Sequence, residues 1–239
     1  MGLALVEPAV PASHRKAFVD TGIERARAPL TLVRREDYRD LGEGDGGQRV
    51  RINGLDCIVP LLGPHQALNA ATAVAAARVA IKASDEVLRQ GLAATYWPGR
   101  FQIFPGKPML VVDGAHNPAA ADALRATLQQ HFGKQPLTII LGILRDKDCE
   151  AFCRSLAPGA TEVLTVRVPS ERTSNPVELA EVCRRAAPQV PARNANTLAA
   201  ALEETRHRDG VVVVTGSLYL VGEALALLEG RRVEAGLNQ

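Results

Sequence analysis

No two of the four cysteines, Cys57, Cys149, Cys153 and Cys183, form a CxxC pair. Cys149 and Cys153 lie one helical turn apart, too few for a zinc site without companions, so the cysteines do not read as a metal centre. They read as buried, reduced thiols of a cytoplasmic protein. No apolar run approaches the roughly 20 residues of a membrane-crossing helix. Neither charge dominates: 28 Lys and Arg face 26 Asp and Glu, a formal net charge of +2. Nucleic-acid binding would call for a basic stripe or cluster. The locally basic "ERARAPLTLVRRED" is interrupted by acids and reads as a solvated face. The opening "MGLALVEPAVPASH" lacks a basic leading region and carries Glu7, so it does not read as a secretion signal. There is no repeat of fixed period and no low-complexity tract.

What is present divides into two halves at "WPGR", residues 97–100, where Pro98-Gly99 has the composition of a type II turn. At 239 residues there is material for one large domain or two modest ones. In residues 1–100, "LTLVR" (30–34) and "QRVRINGLDCIVPLL" (48–62) are strand-like, with Asn53-Gly54 as a hairpin turn. The glycine-rich "GEGDGGQ" (42–48) lacks the Lys-Ser or Lys-Thr of a phosphate loop and is read as a flexible surface loop. Residues 64–83 form an alanine-rich helix with almost no polar face, expected to be buried on most sides. A second helix, 84–97, opens on the cap Ser84.

From about residue 101 the pattern alternates strictly. Apolar β-branched runs, "PMLVVD", "PLTIILGIL", "TEVLTVRV" and "GVVVVTGS", alternate with amphipathic helices. Residues 101–239 are therefore expected to form a doubly wound, mainly parallel α/β domain. Ligands of such domains bind beyond the carboxyl ends of the strands. Three strand ends are polar: Asp113 to Asn117, "LGILRDKD" (141–148), and Thr215-Gly216-Ser217. Free N–H groups and positive helix ends gather there, which outlines a pocket for a polar, anionic ligand. Asn117-Pro118 and Asn175-Pro176 are satisfied by a capping role alone. A carboxylate after four apolar residues, as at Asp113, must be paired, hydrogen-bonded or reachable by a ligand.

In this order and spacing, "GPHQALNAATAVAA", "WPGRFQIF", "VVDGAHNPAAADAL", "LGILRDKD" and "VVVTGSLYLVGEAL" resemble the folylpolyglutamate synthases and bifunctional dihydrofolate synthases of the Mur ligase superfamily. The resemblance implies that residues 1–100 are the carboxyl-terminal part of the ATP-binding domain, and residues 101–239 the glutamate ligase domain. It implies ligation of L-glutamate to a folate or dihydropteroate carboxylate, driven by ATP through an acyl phosphate. It also implies Asn69 and Asp113 at the nucleotide, Arg100 at its phosphates, and His116 in the catalytic cleft. Ser217 and Lys147 fall toward the glutamate, although Lys147 is equally explained as an exposed ion-pair lysine. On this basis Asp113→Asn is expected to weaken nucleotide use without a large stability loss.

Full-length members carry a GTNGKGS-like phosphate loop and magnesium ligands ahead of the matched region, and nothing in this chain replaces them. ATP and Mg2+ are thus implied as cofactors, with the metal ligands expected upstream. The chain alone is expected to be inactive, with an exposed apolar patch in its first half. Either a longer protein or a separate chain would supply the missing half. A non-catalytic binding or regulatory remnant is the alternative, and a Mur-type cell-wall peptide ligase the enzymatic runner-up.

Overall fold

The structure, a computed structural model, describes residues 3–6 and 30–230. Residues 7–29 lie outside it, and with them the remainder of the "MGLALVEPAVPASH" opening and the "ERARAP" half of the basic stretch. The chain divides into two compact units, Met1–Trp97 and Pro98–Gln239. Among the described residues no helix is long and apolar enough to cross a membrane.

In the first unit, strands β1 (Leu3–Val6) and β2 (Leu30–Val33) pair in parallel. Strands β3 (Tyr38–Gly44), β4 (Gly47–Ile52) and β5 (Leu55–Val59) form an antiparallel sheet. Asn53 and Gly54, at φ 46° and 82°, make the expected tight turn between β4 and β5. The "GEGDGGQ" segment is a second hairpin rather than a flexible loop. Gly44 pairs with Gly47 across Asp45-Gly46, and Gly46 sits at φ 85°. An Asp-Gly dipeptide favours such a turn, and this signal outweighs the glycine content around it.

Helix α1 (Pro64–Ile81) lays Ala67, Ala70, Ala71 and Val74 into the core with Val50, Ile52, Leu55 and Val59. Those positions follow i, i+3, i+4, i+7, so one stripe is buried and not most sides. Asn69, Ala73, Ala76 and Ala80 are exposed, and Val79 and Ile81 are 43% and 70% exposed at the helix end. Helix α2 (Asp85–Ala93) is capped by Ser84, whose Oγ accepts from the Val87 amide. It stops four residues before Trp97. Pro98 keeps the residue ahead of it out of helical conformation, so the turn at 94–97 must already have unwound.

The second unit carries a six-stranded sheet in the order β10-β9-β8-β11-β7-β6. The strands are β6 (Gln102–Phe104), β7 (Met109–Val112), β8 (Leu137–Leu141), β9 (Glu162–Thr165), β10 (Ala192–Asn194) and β11 (Val211–Thr215). All neighbours are parallel except β6 with β7. The helices are α3 (Pro118–Phe132), α4 (Cys149–Leu156), α5 (Pro176–Ala186), α6 (Leu198–Thr205) and α7 (Leu218–Leu228). Val112, Ile140, Leu164, Val212 and Val214 pack with Leu198 and Ala201 of α6 and Leu220, Val221 and Ala224 of α7. The alternate residues Val111, Ile139, Val163 and Val213 are equally buried and face the other side, as strand periodicity requires. Fully burying each such side chain stabilises by about 1.5–3 kcal/mol, and this is why the strands read as unbroken apolar runs.

The α/β architecture with a mainly parallel sheet is therefore the one expected. Strands β6 and β10, of three residues each, are additions that periodicity did not reveal. The last strand, β11, sits between β7 and β8. Because β7 continues into β8 on the far side of β11, the strand order reverses beside it, and a crevice opens at that switch.

Candidate active site

Three helices begin where the strands beside this crevice end. Asn117, Asp148 and Ser217 cap α3, α4 and α7, their side chains accepting from the amides of Ala120, Ala151 and Tyr219. Helix N-termini favour anions. The loops are then tied to one another through backbone bonds. The Asp113 amide donates to Val214 O at 3.0 Å, the Gly216 amide to Ala115 O at 3.0 Å, and the Gly142 amide to Thr215 O at 3.1 Å.

Two glycines permit this close approach. Gly216 has φ 106°, and a Cβ there would lie 2.5 Å from Gly142 O. A Cβ on Gly114 would lie 2.5 Å from Leu218 Cδ2. Asp113 spends both carboxylate oxygens on this frame. Oδ2 accepts from the Phe101 amide at 2.9 Å and Oδ1 from the Ala115 amide at 2.8 Å. The turn holding Arg100 is thereby pinned to the turn holding His116. A second tie runs from the Gly114 amide to Gly99 O at 2.9 Å. Gly99, at φ 72°, has the left-handed conformation that a type II turn needs at this position.

The ring of His116 bonds Gly114 O through Nδ1 at 2.9 Å. A carbonyl only accepts, so Nδ1 carries the proton and Nε2 of the neutral ring is left as an acceptor. His116, Lys147 and Ser217 line one cavity of about 160 Å3, together with Leu144, Gly216, Leu218 and Tyr219. Lys147 Nζ is also 3.3 Å from Asp146, whose other neighbour is Arg172 at 3.6 Å. Lys147 is thus an ion-pair lysine that also lines the cavity. Loss of solvent pushes the Asp146 carboxyl up, but the hydrogen bond from Lys147, with the charges of Lys147 and Arg172, holds it below its usual range.

Of the six expected residues, then, the cavity gathers His116, Lys147 and Ser217. Arg100 and Asp113 lie outside its lining and are joined through Phe101. Asn69 belongs to the first unit, on α1, where its amide donates to Gln66 Oε1 at 2.9 Å. Tyr219 and Leu144 are lining residues that residue type gives no reason to select. Tyr219 could have been reached through its place in the first turn after the Ser217 cap. A larger cavity, of about 480 Å3, lies at the opposite ends of β8 and β11, against Leu137 and Val211. No helix N-terminus faces it from a strand end, so the smaller crevice is the better candidate for chemistry.

Residues 99–218 match the glutamate ligase domain of the Mur ligases. The chain belongs to this family. Over 187 residues it is 37% identical to the folylpolyglutamate synthase of Lacticaseibacillus casei, covering 75% of this chain and 42% of that protein. It is 32% identical over 164 residues to the dihydrofolate synthase/folylpolyglutamate synthase of Mycobacterium tuberculosis, covering 64% and 32%. Among solved structures, the Mycobacterium tuberculosis folylpolyglutamate synthase complexed with ADP superimposes with a TM-score of 0.81 at 28% identity. That match covers 97% of this Mur ligase chain and 56% of the solved one. A bifunctional folylpolyglutamate synthase/dihydrofolate synthase solved with Mn, AMPPNP and L-glutamate gives 0.72 at 26% identity, covering 95% and 53%. The chain thus spans about half the length of the relatives it matches, or less.

Proposed function

We propose that this chain is part of an ATP-dependent ligase that joins L-glutamate to the carboxylate of a folate or pteroate. The observation carrying this reading is the meeting of His116, Lys147 and Ser217 in one crevice of a glutamate ligase domain. The relatives named above, and the solved structure holding a nucleotide analogue with L-glutamate, supply the substrate classes.

A carboxylate is a poor acyl donor because its leaving group would be an oxide. Transfer of the γ-phosphoryl group of ATP to the carboxylate forms an acyl phosphate and ADP. The glutamate amine then attacks the acyl carbon, the bond to the phosphate oxygen breaks, phosphate leaves, and the amine gives up a proton. The protein's part is placement and charge compensation. Arg100 offers a planar cationic fork to phosphate oxygens. Asp113 is assigned to the ribose, where a carboxylate can accept hydroxyl hydrogen bonds. Asn69 contacts the nucleotide from the first unit. His116 Nε2 orients the amine by accepting its hydrogen. Lys147 offsets a glutamate carboxylate, and the Ser217 hydroxyl, already accepting from Tyr219, donates to the same substrate.

Among the described residues no group of three His, Cys, Asp or Glu could hold a metal ion. No step is therefore assigned to magnesium on these residues. The 239 residues contain no GxxxxGK[ST] loop. We infer that cradling of the triphosphate falls to residues outside this sequence, in a longer protein or a second polypeptide, and that the catalytic setting is cytoplasmic. The test is ADP release from ATP, L-glutamate and a reduced folate. The pure chain is expected to show none, and the chain joined to a phosphate-loop domain is expected to show glutamate-dependent release. In the joined form Arg100→Ala should lower the rate about 10²–10³-fold, the usual cost of losing one charge-stabilising donor. A full rate in that variant would remove Arg100 from the chemistry, and turnover by the pure chain would overturn the division of labour.

A further inference from the structure

The solvent side of the β3–β5 sheet has no part in the reaction proposed above. Arg49 and Arg51 lie two apart on β4 and are both exposed, so they project from the same side. The register places Arg39 of β3 directly opposite Arg51, and Asp56 of β5 opposite Arg51 on its other side. Like charges directly opposed across strands are destabilising on their own. Arg89 reaches the same place from α2, and Arg49, Arg51, Asp56 and Arg89 line a cleft of about 330 Å3.

The partners of these arginines differ. Arg51 holds Asp56 in a fork, with Nε and Nη2 at 2.5 and 2.8 Å from its two oxygens. Arg89 meets Glu86 at 3.2 Å through one nitrogen. Arg49 makes a 3.3 Å bond to a backbone carbonyl, Leu41 O. Among the described residues, Arg51 and Arg89 are the two of these arginines seen paired with a carboxylate. The hydrogen bond from Arg51 draws the Asp56 carboxyl below its usual range, and the charges of Arg89 and Arg49 act in the same direction. The position of Arg49 is also built into the backbone. A Cβ on Gly44 would lie 2.9 Å from Cγ and Cδ of Arg49, so a glycine there makes room for the stem.

We propose that this cleft binds a small multivalent oxyanion, held by Arg49 and Arg89 beside the Arg51–Asp56 pair and offsetting the opposed charges of Arg39 and Arg51. Guanidinium forks match carboxylate and phosphate groups equally well, and the cleft volume fits a small molecule rather than a polymer. Two sources share this chemistry, a phosphoanhydride and a short chain of carboxylates. The proposal does not depend on the ligase reading, because none of its residues belongs to the crevice of the second unit.

The test is calorimetric titration of the full chain with inorganic pyrophosphate and, separately, with tri-γ-glutamate, at about 0.15 M salt, where exposed charges are strongly screened. Saturable binding of either probe is expected, and the one that binds identifies the source. The double variant R49Q/R89Q should weaken it at least tenfold while leaving the melting temperature unchanged. Asp56→Asn removes a competing carboxylate and should tighten binding several-fold. This second variant decides the matter should R49Q/R89Q fold poorly. Failure of both probes to bind, binding unaltered in R49Q/R89Q, or weaker binding in D56N would each overturn the proposal.

Discussion

Asp113 and Phe101, twelve positions apart, are joined by a 2.9 Å hydrogen bond from the Phe101 amide to the Asp113 carboxylate. The other oxygen of the same carboxylate accepts from Ala115. Asp113 is consequently a fastener between two turns as well as a candidate nucleotide contact. Asparagine presents one acceptor where two amides need one each. Asp113→Asn should therefore cost about 1–3 kcal/mol of stability, read from urea denaturation, because a part-buried amide loses its partner. This revises the expectation, drawn from the family resemblance, that the substitution would spare stability. An unchanged midpoint would return Asp113 to a purely ligand-facing role.

Gly216→Ala should be among the more damaging single changes in the second unit. It places a Cβ 2.5 Å from a backbone oxygen and puts alanine at φ 106°. Overpacking and backbone strain each cost about 1–3 kcal/mol, and thermal melting should show the loss. Gly222, inside α7, has open space around its Cβ position. Gly222→Ala should be neutral or stabilising by about 0.5–1 kcal/mol, the helix-propensity difference. Equal effects at both sites would mean the close approach of the 142 and 216 turns is not maintained in solution.

Burial on α7 raises the Glu223 carboxyl above its ordinary 4.5. The folded state therefore holds the proton more tightly than the unfolded state, and the protonated form contributes stability that is fully present below pH 4.5. That contribution is lost as pH rises through the folded value. Glu223→Gln should melt higher than the parent at pH 7, by about 1–2 °C for a partly exposed group, and the gap should close below pH 4.5. A gap that stayed constant with pH would rule out titration as its cause.

Thiol labelling should separate the four cysteines. Cys149 is half-buried, whereas Cys57, Cys153 and Cys183 are buried. Cys153 and Cys183 lie with sulfurs 3.4 Å apart between α4 and α5. Hydrogen bonding to Cys183, followed by burial, pushes the Cys153 thiol well up. Thiolate is the reactive form, so alkylation followed by mass spectrometry should find Cys149 modified first. Cys153 and Cys183 should react only after unfolding. Early labelling of Cys153 would show that α4 and α5 separate in the native state.

Much of the second unit was legible because buried parallel strands and their capped helices write themselves as separate, regular signals. The runs at 109–112, 137–141, 162–165 and 211–215 each became a strand, and Asn117-Pro118 and Asn175-Pro176 each opened a helix. Strands of three residues, at 102–104 and 192–194, are too short for periodicity to mark. The glycine-rich hairpin at 42–48 was hidden by composition, although its Asp-Gly turn carried the right chemistry. At the site, residue type marked Asp113 as an acid needing partners. Nothing local could name Phe101 as one of them, because that bond exists only once the 97–101 turn lies against the end of β7. The same holds for the meeting of His116, Lys147 and Ser217, which depends on the order of strands and not on any one motif.

The position of β11 between β7 and β8 has a consequence for how the molecule is made. The strand that closes the sheet leaves the ribosome after both of its neighbours, so the nascent domain must wait with a gap at its centre. Until residues 211–215 enter that gap, β7 and β8 have no shared neighbour and the ligand crevice has no floor. Competence for binding should arrive abruptly once residues 211–215 are made, and a chain stalled before that strand would expose two unpaired apolar edges to chaperones.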